Sequence, residues 1–265
     1  MISSRSLQFL FLGSGTSTGV PMIGCGCATC RSTDPRDNRT RSSVLFRWHD
    51  GSVQRQVLVD TSTDLRFQAL REGLNRIDAV LFTHSHADHV HGLDELRSFN
   101  FIQKTEIPCY GSAETLKKIR TRFDYIFEPG AYEGGGLPKL TLHTVEDDLE
   151  LFGMKIAVLP VRHGPARVFG YRIGPIAYIT DCSEIPEETM AKVRGARIFV
   201  VGATQRRAHP THFSLDQGIA AIRVSGAQKG YITHMNHDIK HSEITAKLPP
   251  GVALAHDGLL LEEGL

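Results

Sequence analysis

The sequence predicts a layered α/β protein, and two observations carry that expectation. Short β-branched or aliphatic runs end in turn signals, and between them lie stretches whose apolar residues recur every three to four positions. In chain order the strand runs are QFLFLG, SVLFRW, QVLVDT and DAVLFTH, then KIAVLP, AYITD, RIFVVG and GYITH. The intervening periodicity places helices over 64–72, 87–97, 112–122, 185–194 and 214–225. The last of these has a clear start, with Ser214 as N-cap and Asp216 or Gln217 in the first turn. Hairpin signals dominate the first half, and strand alternates with helix in the second. EPGAYEGGGLP (128–138) reads as a mobile surface loop. No composition break, linker or repeat divides the chain, so residues 1–265 are expected to form one domain.

Charge narrows the partners. Lys plus Arg number 30 and Asp plus Glu 29, a net of +1, so neither a nucleic-acid footprint nor an acidic disordered tail is present. A small molecule is the expected partner, with no membrane. LQFLFL (7–12) is too short for a spanning helix or a signal-peptide core, which predicts a cytoplasmic protein.

Three of the five cysteines fall within CGCATC, as C-x-C-x-x-C at Cys25, Cys27 and Cys30. In a reducing compartment this is not a disulfide framework, and the odd total forbids complete pairing. The spacing suits three thiolates on one zinc ion, with a fourth ligand to be found among thirteen histidines. The competing reading is a set of ordinary buried thiols in a glycine-rich loop. Cys109 and Cys182 read as small buried residues, Cys182 with a place in the pocket wall open to it. GSGTSTG (13–19) follows a strand, but VPMIGCGC after it cannot begin the helix that receives a pyrophosphate, so it is not a dinucleotide fingerprint.

Four strand runs end in a residue able to bind metal: His84, His163, Asp181 and His234. Ligands from distant strand ends imply one site at one sheet edge, held by rigid elements. The densest signal is THSHADHVHG (83–92), where His84, His86, Asp88 and His89 spell H-x-H-x-D-H. His84 and His86, two apart in extended chain, can share one ion, and Asp88 and His89 at the helix start can hold a second. Imidazole with carboxylate suits zinc, iron or manganese. His91 reads as a bystander.

Here the sequence resembles the metallo-β-lactamase-fold hydrolases, whose signature is H-x-H-x-D-H after a strand. The resemblance implies an αββα sandwich of two mixed β-sheets flanked by helices, with two divalent ions, manganese, zinc or iron, at the sheet edge. It implies that His84, His86 and His163 hold the first ion, that Asp88, His89 and His234 hold the second, and that Asp181 bridges them. Asp60, ending VLVD, matches an aspartate that supports the ligands from behind, although a turn-capping aspartate fits equally well.

FLGSGTSTGVPMIGCGCATC is similar to the amino end of the phosphodiesterase branch, above all the phosphonate-utilisation cyclic phosphodiesterases. In those the cysteine loop holds a structural zinc whose fourth ligand lies three residues beyond the last active-site histidine. In THMNHD that residue is His237, so a closed Cys25–Cys27–Cys30–His237 zinc is implied within a loop at 19–40. PTHFSLDQG (210–218) resembles the segment whose histidine, here His212, contacts phosphate and assists the leaving group. The implied reaction is hydrolysis of a small phosphodiester, cyclic or open, by a hydroxide bridging the two ions, with Asp181 and His212 as catalytic residues. Only a hairpin fits between His163 and Asp181, where transfer-RNA processing members insert a long arm, so tRNA is not expected. Relatives suggest a homodimer. A lactonase or thioesterase, and an accessory protein of quinone-cofactor synthesis, are the alternatives on this fold.

Overall fold

The computed structural model describes residues 6–128 and 136–265. It is an αββα sandwich: two seven-stranded mixed sheets face each other, with helices on their outer sides. In the first sheet β1 (Ser6–Gly13), β2 (Ser43–Asp50) and β3 (Val53–Val59) run antiparallel. The chain then passes α1 (Leu65–Arg71) and turns parallel at β4 (Ala79–Leu81). It continues through α2 (Ala87–Val90), α3 (Leu96–Gln103), β5 (Ile107–Gly111), α4 (Ala113–Arg122) and α5 (Asp124–Phe127) to β6 (Leu140–Thr144).

The second sheet opens with an antiparallel set, β7 (Leu149–Leu151), β8 (Met154–His163), β9 (Ala166–Ile173) and β10 (Ile176–Ile179). A parallel set follows: α6 (Glu187–Val193), β11 (Ile198–Gly202), α7 (Leu215–Ser225), β12 (Lys229–Thr233), α8 (His241–Thr245) and β13 (Val252–Leu254). β14 (Leu260–Gly264) crosses back and pairs antiparallel with β1.

The strand runs are continuously apolar because both faces of each sheet are covered. Along β1, Leu7, Phe9 and Phe11 enter the core between the sheets while Leu10 and Leu12 meet the helices outside. The same alternation sends Ile176 and Tyr178 of β10 inward and Ala177 and Ile179 outward. Phe9 packs edge-on against Phe11 and Phe46, each at 4.8 Å between ring centroids.

The expected helix over 87–97 is instead broken. α2 ends at Val90, a 3₁₀ turn spans Leu93–Glu95, and α3 runs on to Gln103. Gly92 sits at the break because its Cα is pressed against the Ser62 carbonyl, and its N–H donates to the Thr61 carbonyl. The loop expected at 128–138 falls largely on residues 129–135, outside the described residues. The hairpin expected between His163 and Asp181 is β9–β10, and β9 pairs on its other side with β8, which ends at His163. No helix of the described residues is long and apolar enough to cross a membrane.

The ends of β3 and β4 in one sheet and of β8, β10, β11 and β12 in the other converge on one rim of the sandwich. All seven residues of the expected two-ion set lie there, and so does Asp60.

Candidate metal centre

Local folding at this rim is driven by strand ends. Asp60 follows β3 with a left-handed backbone (φ 63°), and His234 follows β12 likewise (φ 58°). Neither is glycine, so each carries strain of about 1–3 kcal/mol that surrounding bonds must offset. Asp60 accepts from the Thr83 N–H (2.8 Å) and the Thr83 hydroxyl (2.7 Å). Its Oδ2 also lies 2.7 Å from His89 Nδ1. His234 is gripped through Met235, whose N–H donates to the Ser14 carbonyl and whose carbonyl accepts from Thr16 N–H.

The imidazoles are oriented by partners on their far side. Because the Thr83 hydroxyl donates to Asp60, His84 Nδ1–H donates to Thr83 Oγ1 at 3.0 Å. His163 Nδ1–H donates to the Thr211 carbonyl at 2.6 Å, and His234 Nδ1 lies 3.2 Å from Thr204 Oγ1. With Nδ1 as donor, the Nε2 lone pair points into the site. His84 Nε2 meets His86 Nδ1 at 2.9 Å, a separation at which two ring nitrogens need a shared proton or cation.

Asp181 divides the site. Its Oδ2 faces His84 Nε2 and His163 Nε2, each at 3.9 Å, while Oδ1 faces His89 Nε2 and His234 Nε2, each at 3.2 Å. Asp88 Oδ2 completes the second group, 3.3 Å from His89 Nε2 and 3.7 Å from His234 Nε2. The donor atoms form two separate sets that can each hold an ion, His84, His86, His163 and Asp181, and Asp88, His89 and His234, with Asp181, His212 and His234 an overlapping third grouping. His89 Nε2 and His234 Nε2 are buried without a hydrogen-bond partner. Orphaned ring nitrogens in a buried nest of carboxylates fit a metal.

Electrostatics agree. Burial works to lower His89, but Asp181, Asp88 and Asp60 outweigh it and hold its pKa well above the usual imidazole value. Burial likewise opposes ionisation of Asp181, yet the imidazoles of His234, His89 and His84 keep it well below the usual carboxylate range. Three carboxylates therefore draw positive charge to this point, and a bound cation displaces the imidazole protons. His84 is driven well below the usual value by burial, so it is neutral and fit to ligate.

His212 stands on the same rim, with Nδ1 3.8 Å from Asp181 Oδ2 and its ring stacked on His234 at 5.2 Å. Burial lowers its pKa to about 3. The expected helix cap is present: Ser214 accepts from Gln217 N–H, and Gln217 returns a bond to the Ser214 N–H. His209 contacts this group as well, 5.0 Å from the His212 ring. His91 packs on Phe123 away from the site, and Cys182 is wholly buried rather than in the pocket wall.

The cysteines gather as the sequence suggested. His237 Nδ1 lies 3.2 Å from Cys25 Sγ, 3.6 Å from Cys27 Sγ and 3.5 Å from Cys30 Sγ. Four donors from two distant segments fit a closed tetrahedral zinc. The Cys30 N–H donates to Cys27 Sγ and lowers that thiol to about 6, while burial raises Cys30 to about 11. Arg39 fixes both segments. Its backbone pairs with Val20, and its buried guanidinium donates to the Asn236 and Ile239 carbonyls on either side of His237. Asp37 neutralises it at 2.8 Å.

Sequence reasoning missed Arg39, Thr204 and the Thr211 carbonyl, because each acts across long sequence separations, and Asp37, which pairs with nearby Arg39 but also accepts from the distant His241 N–H. It missed Arg122 too, whose guanidinium donates to the Ser85 carbonyl between His84 and His86. The Thr-His pairs 83–84 and 233–234 were visible, but only Thr83 proves to hold its neighbour's ring.

Comparison with known families decides the membership. The model of the β-lactamase superfamily domain matches residues 55–235, which spans Asp60 through His234. The chain belongs to the β-lactamase superfamily. This superfamily member is 43% identical, with TM-score 0.90 and 98% of each chain covered, to a crystal structure of a new diphosphatase from the PhnP family. It is 38% identical to an octanoyltransferase of Porphyromonas gingivalis over 96% of this chain and 51% of that protein. It thus spans about half of that relative. Coenzyme PQQ synthesis protein B of Methylorubrum populi is 28% identical over 75% of this chain and 73% of its own. Human tRNase Z, short form, shares the fold alone, at 16% identity and TM-score 0.69 over 96% and 98% of the two chains.

Proposed function

We propose that the protein hydrolyses a small phosphodiester at a two-ion centre. The observation that supports this most is the division of Asp181, one oxygen toward His84 and His163 and the other toward His89 and His234. In this reading His84, His86 and His163 would hold one divalent ion and Asp88, His89 and His234 the other, with Asp181 a ligand available to both. Zinc, manganese and iron all suit such nitrogen and oxygen donors. Bound there, the pair supplies Lewis-acid charge and an activated water.

The chain's own residues do the rest. Asp181 fixes the spacing of the two donor sets, and Asp60 and Thr83 hold His89 and His84 in the ligating orientation. His212 is neutral at physiological pH, and nearby cations only strengthen that tendency. Its role is therefore to donate an N–H to a phosphoryl oxygen and orient the phosphorus, rather than to arrive as a charged acid. The closed Cys25–Cys27–Cys30–His237 group binds a structural zinc that fastens the amino-terminal loop beside the site. A thiolate zinc of this kind fits a cytoplasmic setting.

A second reading is cleavage of a phosphoanhydride. It is favoured by the 43% identity to a protein described as a diphosphatase, and it uses the same groups. Octanoyl transfer is the name of a relative about twice this length and is not carried over.

The test is metal content together with turnover of bis(p-nitrophenyl) phosphate and of a dinucleoside diphosphate. About three ions per chain, one resisting chelation, with metal-dependent diester cleavage are expected. Preference for the anhydride would move the reaction to the second reading. Two ions would remove the Cys3His zinc, and three ions with neither activity would remove both reactions.

A further inference from the structure

The loop that joins β11 to α7 carries His212, and its stem is fixed by backbone bonds. Thr204 N–H donates to the Phe213 carbonyl, Phe213 N–H to the Cys182 carbonyl next to Asp181, and Leu215 N–H to the Gln205 carbonyl. Within this loop Thr211 binds two imidazoles at once. Its carbonyl accepts from His163 Nδ1–H at 2.6 Å, and its N–H donates to His209 Nδ1 at 3.3 Å. Gly164 makes room for Thr211: its backbone is left-handed (φ 58°), and a Cβ there would lie 2.8 Å from Thr211 Cγ2.

Because a backbone N–H can only donate, His209 Nδ1 carries the lone pair and the neutral ring bears its proton on Nε2. No group among the described residues accepts from that Nε2–H. The His209 ring meets His212 at 5.0 Å between centroids, tilted by 57°. His212 in turn touches the rings of His163 (4.6 Å) and His234 (5.2 Å) and faces Asp181, so it covers the middle of the site. His209 is exposed and stacks on no candidate ligand among the described residues, which places it one ring further out, at the mouth. In an in-line displacement at phosphorus the attacking and leaving oxygens lie on opposite sides. With water activated at the buried floor beside Asp181, the leaving oxygen points toward the mouth.

We propose that His209 donates a hydrogen bond from Nε2–H to the oxygen that leaves phosphorus. This rests on the reading of the metal centre as a site of phosphodiester hydrolysis. A water oxygen forms the new bond to phosphorus, and the bond from phosphorus to the alcohol oxygen breaks with its electron pair on that oxygen. Net, water gives its hydroxyl to phosphorus and its proton to the alcohol, while His209 keeps its own proton throughout. A neutral donor placed there acts only on charge that develops in the transition state, so its effect grows with the basicity of the leaving group.

The test is turnover of the p-nitrophenyl and phenyl esters of thymidine 5′-phosphate by the metal-loaded protein, with metal content measured in parallel. p-Nitrophenolate departs as a stable anion, whereas phenolate needs help. His209→Ala is expected to lower kcat on the phenyl ester about 10²-fold and on the p-nitrophenyl ester by less than about tenfold, with the ions still bound. His209→Gln, whose amide N–H reaches near the Nε2 position, is expected to recover part of the loss. Nitrogen NMR of the histidine rings in the native protein is a readout apart from turnover: the signal lost in His209→Gln is expected to be an Nε2–H tautomer. An Nδ1–H tautomer, no loss of turnover, equal losses on the two esters, or loss of metal from both variants overturns the donor role and leaves the diesterase reading standing. A native protein that cleaves neither ester overturns the diesterase reading and this role with it.

Discussion

At Asp60 a left-handed backbone is tolerated because one carboxylate accepts from the Thr83 N–H and hydroxyl and faces His89 Nδ1. Asp60→Asn keeps the shape but loses the charge that complements the His89 ring. Metal affinity is expected to drop about 10- to 100-fold, read by chelator competition, with the fold intact by circular dichroism. Unchanged affinity would reduce Asp60 to a turn residue. His212→Ala is expected to lower turnover about 10²- to 10³-fold with both ions still bound, the size of effect seen when a donor to a developing oxyanion is removed. The His and Asp residues that gather at the rim were legible as candidates because H-x-H-x-D-H and strand-terminal His and Asp are local patterns. What holds them was not: the Thr211 carbonyl that orients His163 lies 48 residues away in sequence, and no local pattern announces a carbonyl acceptor.

Among the elements, the cysteine loop shows how charge and metal couple. At near-neutral pH Cys27, lowered to about 6, is already a thiolate, while Cys30, raised to about 11, is a thiol. Zinc binding between these values expels the Cys30 proton, and below about 6 it must expel the Cys27 proton as well. Affinity therefore rises with pH, and its slope against pH is expected to steepen on passing below about 6. Zinc titrations against a competing chelator from pH 5 to 8 read this directly, in the range set by Cys27. An affinity indifferent to pH would place the zinc elsewhere. Arg39 is the loop's second fastening. Arg39→Ala leaves Asp37 buried without its ion-pair partner, held only by the His241 N–H, a change expected to cost about 3–5 kcal/mol and to release the zinc at lower chelator concentration. Buried strands such as QFLFLG and RIFVVG were readable because two covered faces demand unbroken apolar sequence. β5, β6 and β14 were not, since IPCYG, LTLHT and LLEEG mix polar and apolar residues at or near the sheet margins.

For the whole molecule, the site exists only where two sheets meet. Asp60 and the His84–His89 turn come from one sheet, and His163, Asp181 and His234 from the other. Phe46 packs edge-on against Phe9 in the core between them. Phe46→Ala is expected to lower unfolding free energy by about 3–5 kcal/mol and to shift metal release to the same lower denaturant concentration. Metal release well before unfolding would mean that the rim opens independently of the sandwich. The fold class was legible from apolar periodicity, whereas the sheet-to-sheet arrangement came only through family resemblance, because no local pattern encodes which strands face each other.

β14 closes the first sheet against β1, and just before it Asp257 accepts from Ser14, Thr40 and Arg71. Ser14 in turn holds Met235, beside His234. A ribosome making this chain delivers the candidate ligands well before it delivers Asp257. Until then β1 lacks one neighbour and the loop beneath His234 lacks its clamp. Maturation of the centre is thereby deferred until Asp257 and β14 have been made, and a nascent chain bearing every candidate ligand but not these still lacks the finished site.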